Sequence, residues 1–245
     1  MNSFKTIFLL ILFLVLSSFG FSQTIKEYVD AGKEKEDNND FYGAISEFKK
    51  ALEISPIDSF IIRHIAFTYS KIGSEKYKLK DYYGAITVLT EAIKLDPIET
   101  YYYLIRGEAK DQLNDFYGAI ADYTKIIELN PRDAGTYLLR GSSKESINDN
   151  LGAIVDYTKA IGIKPDNAYC YYKRGYLKSN LNDITGAIYD FTLAIEIDPY
   201  NSLYFLNRGY NRIVFGDKVG GCGDINKAVD LGSEIAYKIK IELCQ

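Results

Sequence analysis

The sequence predicts an all-α fold, a solenoid of six helix-turn-helix repeats with a capping helix at its C-terminal end. The first observation is a recurring stretch, found as Asp40–Pro56, Asp81–Pro97, Asp115–Pro131, Asp149–Pro165 and Asp183–Pro199, with a degenerate copy from Asp217 to Ser233. The second is its spacing, because the last four of these prolines follow one another at steps of 34 residues. A fixed period of this length is typical of stacked supersecondary units that each contact only their neighbours.

Each repeat divides into two helices, as residues 100–133 illustrate. Tyr101–Leu113 has the length and composition of a helix, and Asn114 with Asp115 interrupts it. The second segment carries apolar residues spaced as one helical face, at Ala119, Ile120, Tyr123, Ile126 and Ile127. Pro131 ends it, since the residue before a proline is disfavoured in the α region. Asp115 and its equivalents are predicted to cap the second helix.

The N-terminus has the pattern of an export signal. Lys5 precedes an apolar run from Ile7 to Leu16, and small residues then allow cleavage after Ser22. Residues 1–22 are therefore predicted to be a cleavable signal peptide, and the mature chain to be periplasmic, outer-membrane-associated or secreted. The alternative is an uncleaved membrane anchor, although the run is shorter than the ~20 residues needed to span a bilayer. Membrane contact is expected only through such an uncleaved signal.

Composition and charge limit the kinds of molecule that the protein is expected to bind. The formal net charge is −4, and 25% of residues are charged, as in an ordinary folded protein. The chain thus lacks the basic footprint of a nucleic-acid-binding protein, so no nucleic acid is expected.

Three columns of residues recur within the repeats. The first is aromatic, the second is glycine four residues later, and the third is alanine twelve residues further on. They are Tyr28, Tyr103, Tyr137, Tyr171 and Phe205, then Gly32, Gly107, Gly141, Gly175 and Gly209, then Ala44, Ala119, Ala153 and Ala187. This pattern resembles the tetratricopeptide repeat over about 210 residues. The resemblance implies a right-handed superhelix whose first helices line a concave groove that holds a peptide, and the signal resembles those of secreted Bacteroidetes-type proteins.

The predicted repeats are 25–58, 59–99, 100–133, 134–167, 168–201 and 202–235, with a capping helix and tail over 236–245. The second is seven residues longer than 34, and two registers fit it. In one register, Ile65 to Tyr69 fit the first helix of the family's repeat and residues 74–80 are the insert. In the other, Ile72 and Gly73 take the pattern and the insert lies earlier. Either register predicts a longer first helix.

Two columns of the first helix depart from the family pattern by being charged. One holds arginine in place of leucine, and the other, in place of tyrosine, holds Lys35, Lys110, Lys144, Lys178 and Arg212. Arginine replaces leucine in the first helix of repeats three to six, and aspartate lies in the second helix of the same repeats. They are Arg106, Arg140, Arg174 and Arg208, with Asp122, Asp156, Asp190 and Asp224. The second repeat has Ile and Val88 in these columns, so Arg and Asp are gained or lost together. The first repeat departs from this rule in part, with Ala31 and Glu47. The pattern favours structural Arg–Asp pairs over a charged ligand site.

The resemblance also implies which side chains line the groove, namely those six and three residues before the glycine, and one and four after it. Repeat three then contributes Tyr101, Leu104, Glu108 and Asp111, and repeat four Gly135, Leu138, Ser142 and Glu145. Repeat five contributes Tyr169, Tyr172, Tyr176 and Ser179, and repeat six Leu203, Leu206, Tyr210 and Ile213. The family's carboxylate clamp needs Lys, Arg and Asn here, so that activity is not carried over. Tyr169, Tyr172, Tyr176 and Tyr210 form a candidate recognition patch, with packing of a tyrosine-rich chain as the alternative.

Catalytic and metal-binding chemistry is not predicted. His64 is the single histidine, and no phosphate loop, nucleophile set or metal-ligand spacing accompanies it. Cys170 is predicted to be a buried apolar residue. Cys222 and Cys244 are predicted to lie on neighbouring helices, and the sequence does not decide whether they form a disulfide. We expect no cofactor, no metal and no small-molecule substrate.

The sequence favours a non-enzymatic scaffold that binds a protein or peptide in its groove. The alternative is a self-associating envelope protein that uses the last repeat and Cys222 or Cys244 as contact points.

Overall fold

The computed structural model describes residues 21–244. Within that range the chain is helical and has no strand, which confirms the predicted all-α class. The predicted export signal lies outside the described residues except for its last two. No described helix is long and apolar enough to cross a membrane.

Thirteen helices cover the described residues. They are α1 (21–37), α2 (Phe41–Ile54), α3 (Ser59–Lys78), α4 (Tyr82–Leu95), α5 (Thr100–Gln112), α6 (Phe116–Leu129), α7 (Ala134–Ser146), α8 (Asn150–Ile163), α9 (Ala168–Asn180), α10 (Ile184–Ile197), α11 (Ser202–Phe215), α12 (Lys218–Asp230) and α13 (Glu234–Leu243). They form two compact units that divide after Asp115.

Helices pair as the repeat pattern predicts in each compact unit. In the first unit α3 packs against α4, and in the second unit α7, α9 and α11 pack against α8, α10 and α12 respectively. Each pair also packs against the next helix along the chain, as α4 does on α5 and α8 on α9. The result within each unit is a row of hairpins in which every hairpin buries the face that it cannot cover alone.

Aspartates cap the second helices. Asp40, Asp81, Asp149, Asp183 and Asp217 each accept a hydrogen bond from the backbone N–H three residues later, at 2.9–3.0 Å. The residue before each of the five is left-handed, with φ near +61° at Asn39, Asn148 and Asn182 and +104° at Gly216. Asparagine and glycine tolerate this region, which turns the chain between the helices. Lys80 also adopts this region, with φ of +63°, and is the one residue of the five that is neither asparagine nor glycine.

Helix α3 contains the whole insertion of the second repeat. It has 20 residues, against 13 in α5, α7 and α9. Gly73 packs on Leu89 as Gly141 packs on Tyr157, which places the repeat in the Gly73 register. The extra seven residues therefore lie at the N-terminal end of α3. Seven residues are about two turns, so Ile65 and Ile72 fall on one face and are both buried in one cluster.

The last hairpin is held by a close approach of α11 and α12. A Cβ atom added at Gly221 would lie 2.6 Å from the Gly209 carbonyl oxygen and 2.6 Å from Ile213 Cγ1. Gly221 is buried, and α12 is helical from Lys218 onward. The glycines at 220, 221 and 223 predict a frayed start of this helix, because glycine weakens a helix interior. The structure is instead helical there, and Gly221 is the residue that lets the two helices touch.

Two neighbouring glycines of α12 give opposite expected results on substitution. Gly221→Ala forces a Cβ against backbone and is expected to lower the free energy of unfolding by about 1–3 kcal/mol. Gly223 is exposed, and a Cβ added there would have no atom within 4 Å, so Gly223→Ala is expected to raise it by about 0.5–1 kcal/mol through helix propensity. Urea unfolding of the two variants measures both. A similar loss in each would show that α11 and α12 are not closely packed.

The capping helix differs from its predicted form. The sequence predicts an apolar stripe of Ile235, Ile239 and Leu243 backed by charged residues. In the structure Ala236 is the buried residue of α13, with Ile239 partly buried beside it, whereas Ile235 is 60% exposed. Tyr237 and Ile241 are also 56% and 48% exposed. The helix is rotated from the predicted stripe because it packs through its smallest residue, which allows closer contact with α12.

The cysteines have two different roles. Cys222 in α12 and Cys244 after α13 form a disulfide, with their Cα atoms 5.6 Å apart. Cys170 is a free thiol that is 1% exposed, and burial raises its pKa to about 11. The structure thus pairs the two cysteines whose pairing the sequence did not decide, and the bond joins the capping helix to the last hairpin.

Candidate functional site

The predicted groove residues divide between the two compact units. In the first unit, Tyr101 is 44% exposed and its hydroxyl lies 3.1 Å from Ser74 Oγ, while Leu104 is half-buried on the same helix. In the second unit, Tyr169, Tyr176 and Tyr210 are 46%, 40% and 50% exposed.

Tyr172 is the centre of an aromatic cluster in the second unit. Its ring centroid lies 6.1 Å from that of Tyr169 and 6.4 Å from that of Tyr176, both on α9. It also contacts Tyr204 of α11 at 5.2 Å and Phe191 of α10 at 6.1 Å. The structure therefore brings three of the four predicted tyrosines together and adds two aromatic residues that the groove offsets did not select. Tyr210 lies one hairpin further along, on α11.

The cluster divides into anchoring and accessible rings. Tyr204 is 4% exposed and Phe191 is fully buried, so these rings form the base on which Tyr172 rests. Burial first, and then Tyr176, Tyr169 and Glu145, raise the pKa of Tyr172. The phenol therefore stays neutral at physiological pH and offers a hydrogen-bond donor beside two exposed rings.

A charged pair borders this cluster. Lys173 Nζ lies 2.8 Å from Glu145, whose Oε2 atom also accepts a hydrogen bond of 2.9 Å from the Tyr157 hydroxyl. Lys173 lies 6.0 Å from the Tyr169 ring centroid. The acidic groove position that the sequence assigned to Glu145 is thus neutralised by a lysine from the following hairpin.

The sequence contained a signal for this pair. Lys173 lies two residues before its glycine, and Glu145 lies four residues after the glycine of the preceding repeat. The same two positions hold Lys71 and Glu36, which form an ion pair at 3.1 Å in the first unit. Repeats without a glutamate at the first position have no lysine at the second. Comparing positions across consecutive repeats, rather than within one, finds both pairs.

The Arg–Asp columns form networks inside the hairpins of the second unit. Arg140 donates from Nε and Nη2 to Asp156 at 2.9 and 2.7 Å, and Lys144 Nζ lies 2.9 Å from the same carboxylate. Arg174 with Lys178 on Asp190, and Arg208 with Arg212 on Asp224, repeat this geometry. The aspartates are 0–6% exposed. Each arginine therefore makes the two-point contact that the sequence interpretation assigned to a structural pair.

Each arginine also ties its hairpin to the preceding one. Arg140 Nη1 donates to Thr124, Arg174 Nη1 to Thr158 and Arg208 Nη1 to Thr192, at 3.0–3.3 Å. The guanidinium lies about 5.7 Å from the aromatic ring three residues earlier, which belongs to the repeat's own aromatic column. The threonine column was not predicted. All polar atoms of the guanidinium are thus directed at protein groups rather than at a ligand.

In the first unit the same columns hold a mixture of residue types. Repeat three keeps the arginine, whereas repeats one and two have other residues there. Arg106 Nη1 donates to Thr90 at 3.0 Å, and its partner in the prediction, Asp122, is a buried residue of the second unit. In the first repeat Lys35 lies 2.7 Å from Glu47, and this hydrogen bond lowers the pKa of Glu47 and raises that of Lys35. In the second repeat Ile72 and Val88 are both buried, so an apolar contact replaces the ion pair.

Metal-ligating side chains do not cluster within residues 21–244. No three His, Cys, Asp or Glu side chains in that range lie close enough to hold a metal ion. His64 is partly buried between Phe60 and Phe48, at 4.3 and 5.6 Å between ring centroids. Burial, followed by the charge of Lys33, lowers its pKa. The arrangement as a whole offers aromatic surface and hydrogen-bond donors, which suit recognition.

Three segments of the chain match the family model described as the tetratricopeptide repeat, at residues 68–99, 100–133 and 168–201. The match at 68–99 begins after the inserted residues of α3. Comparison with curated protein sequences gave no significant match.

Solved structures share the fold. A crystal structure of MamA is 24% identical with a TM-score of 0.64, covering 68% of this chain and 97% of that one. The crystal structure of YrrB, described as a TPR protein with an unusual peptide-binding site, is 17% identical with a TM-score of 0.66, covering 79% and 97%. A tetratricopeptide repeat protein from Parabacteroides merdae is 16% identical with a TM-score of 0.59, covering 90% and 87%.

Proposed function

We propose that this chain, which is built of tetratricopeptide repeats, is a non-enzymatic scaffold that binds a peptide or protein segment through the aromatic cluster of its second compact unit. The observation that carries the proposal is the pairing of exposed and anchored rings around Tyr172. Tyr169 and Tyr176 are 46% and 40% exposed, while Tyr172 contacts the buried rings of Tyr204 and Phe191. Aromatic side chains fixed in this way lose little entropy on binding and add a large contact area.

Two further points support a protein or peptide as the ligand. YrrB, which shares the fold, is described as having a peptide-binding site. The tyrosine hydroxyls and the Lys173–Glu145 ion pair offer hydrogen-bonding groups without a strong net charge, which fits a segment held by backbone and apolar contacts. No nucleic acid or small-molecule substrate is proposed.

We also propose that the protein is exported by its N-terminal signal and acts in the cell envelope or outside the cell. The disulfide between Cys222 and Cys244 supports this, because such bonds persist in oxidising compartments. The same bond argues against self-association through Cys222 or Cys244, since the two sulfur atoms are bonded to each other. Self-association by a disulfide between chains is therefore not part of the proposal.

Site-specific crosslinking tests the aromatic cluster. A photo-reactive phenylalanine analogue is placed at Tyr176 in one protein and at Tyr189 in a matched control, which is 62% exposed on the second helix of the same hairpin. Both are irradiated in the native host's envelope. We expect one dominant crosslinked partner from Tyr176 and none from Tyr189. Equal crosslinking from both positions would contradict a specific site.

Substitution then measures the contribution of the rings. Tyr169→Ala with Tyr176→Ala is expected to weaken binding of that partner about tenfold or more, which corresponds to ~1.4 kcal/mol. The melting temperature is expected to change little, because both rings are substantially exposed. Tyr172 is left intact, since its removal would take away packing from Tyr204 and Phe191. A large drop in melting with unchanged affinity would assign the tyrosines to packing.

A further inference from the structure

The insertion in α3 places an aromatic stripe at concave-face positions of the first compact unit. Counted from Gly73, Phe67, Ser70 and Ser74 occupy the offsets that line the groove in other repeats, and Phe60 extends the row by two turns. Phe60 and Phe67 are each 49% exposed. Their spacing of seven residues puts them on one face of the helix. The His64 ring lies between them in sequence and meets Phe60 edge-on at 4.3 Å.

Two depressions meet at Phe67. One, of about 240 Å³, is lined by Phe60, Arg63, His64 and Phe67. The other, of about 460 Å³, is lined by Phe67, Phe41, Lys71 and Tyr101, together with polar side chains of α3. Each is open to solvent on one side and large enough for a bulky side chain. Phe67 thus lines both depressions and separates them.

Cations surround the stripe. Lys33 Nζ lies 5.4 Å from the Phe60 centroid, and Lys71 Nζ lies 4.9 Å from that of Phe67. Arg63 is exposed at the edge of the smaller depression, and Lys78 borders the larger one. His64 adds no charge at neutral pH, since burial and then Lys33 lower its pKa.

Among the residues that line the two depressions, the cations Arg63, Lys71 and Lys78 outnumber the single acid, Glu75. Glu36 is 9% exposed, and it is held by Lys71 at 3.1 Å and by the Thr68 hydroxyl at 3.1 Å. Glu75 is the other acid at the larger depression, opposite Lys71 and Lys78, and the smaller depression has none. The whole chain has a net charge of −4. The stripe is therefore a local positive field on an acidic protein, which favours a negatively charged partner.

We propose that the extended face of α3 binds an acidic peptide segment that carries two bulky apolar side chains, one for each depression beside Phe67, with its carboxylates directed at Lys33, Arg63 and Lys71. This rests on the proposal that concave-face positions of this chain bind peptide, and it names the chemistry of a second such ligand. The insertion creates the site, because Phe60, Arg63 and His64 lie at or before the start of the ordinary repeat pattern. Electrostatic attraction and aromatic contact then act on the same segment.

Selection from a random peptide library displayed on phage tests the chemistry. The purified protein is used as bait in parallel with Phe60→Ala/Arg63→Glu and with Tyr83→Ala/Lys94→Glu as a matched control. Tyr83 and Lys94 are exposed residues of α4 that do not line either depression. We expect wild type and control to enrich peptides with Asp or Glu next to Phe, Leu or Trp, and the Phe60/Arg63 variant to lose that enrichment.

Fluorescence anisotropy with one enriched peptide then gives the magnitude. The Phe60/Arg63 variant is expected to bind it about tenfold more weakly, and raised salt is expected to weaken wild-type binding. Peptides without acidic residues, or binding that the variant leaves unchanged, would overturn the proposal. The same screen with Tyr169→Ala/Tyr176→Ala separates the two ideas. Selection lost there and kept in Phe60→Ala/Arg63→Glu supports the aromatic cluster alone, whereas failure of every bait to enrich peptide rejects both.

Discussion

Asp190→Ala is expected to lower the free energy of unfolding by about 3 kcal/mol. The Asp190 carboxylate is fully buried and is bound by Arg174 at two points and by Lys178 at 2.8 Å. Its removal leaves two cations without their anion. The value lies at the lower end for buried pairs because the Arg174 side chain retains 13% exposure and Lys178 retains 22%.

The comparison that identifies the mechanism is the double variant. Asp190→Ala with Arg174→Met is expected to be more stable than Asp190→Ala alone, since the main stranded charge is then removed as well. Urea unfolding followed by circular dichroism measures all three proteins. Glu128→Ala is the matched control, because Glu128 forms an exposed ion pair with Lys125 on α6, a kind worth about 0–1 kcal/mol. Equal losses from Asp190→Ala and Glu128→Ala would mean that the network contributes no more than a surface pair.

Breaking the Cys222–Cys244 bond is expected to cost about 3 kcal/mol. The two cysteines are 22 residues apart, and cross-linking a loop of that length restricts the unfolded chain by about this amount in the chain-entropy model. The bond also holds α13, which otherwise rests on Ala236 and partly buried neighbours such as Ile239. Addition of dithiothreitol to wild type is therefore expected to lower the urea midpoint.

The control for that experiment is Cys222→Ser/Cys244→Ser. This variant is expected to match reduced wild type in stability and to be unaffected by reductant, because Cys170 is buried and unbonded. Hydrogen exchange locates the loss, which is expected first in α12 and α13. A wild-type protein whose stability does not depend on reductant would show that the bond contributes nothing to folding.

The sequence predicted the features that repeat. The 34-residue period placed the helix pairs and their capping aspartates, because each hairpin buries the same face in the same way. The Arg–Asp columns followed from their joint loss in the second repeat, where Ile72 and Val88 pack together instead. Contacts inside one repeat leave a pattern that recurs, and so one chain holds several copies of the same pattern.

The features that do not repeat were harder to predict. The register of the second repeat depends on which turn of α3 packs against Leu89. The sequence pattern fits two such turns, seven residues apart, equally well. The rotation of α13 depended on a single small residue, Ala236, against a longer row of larger apolar ones. The close approach at Gly221 looked like a weak helix start, since only the partner helix reveals why glycine is needed there. At the candidate site, Tyr204 and Phe191 were missed because anchoring rings lie outside the groove offsets.

The charge networks have a consequence for how such a chain changes its length. Arg174, Lys178 and Asp190 all belong to one repeat, so each buried aspartate has both of its cations within the segment that a single duplication would copy. Only a hydroxyl contact, such as Arg174 with Thr158, crosses to the preceding repeat. Recombination can therefore insert or remove a whole repeat without leaving a buried ion alone. The junctions at Glu36–Lys71 and Glu145–Lys173 are different, because there the two charges come from separate copies, and those neighbours must be inherited together.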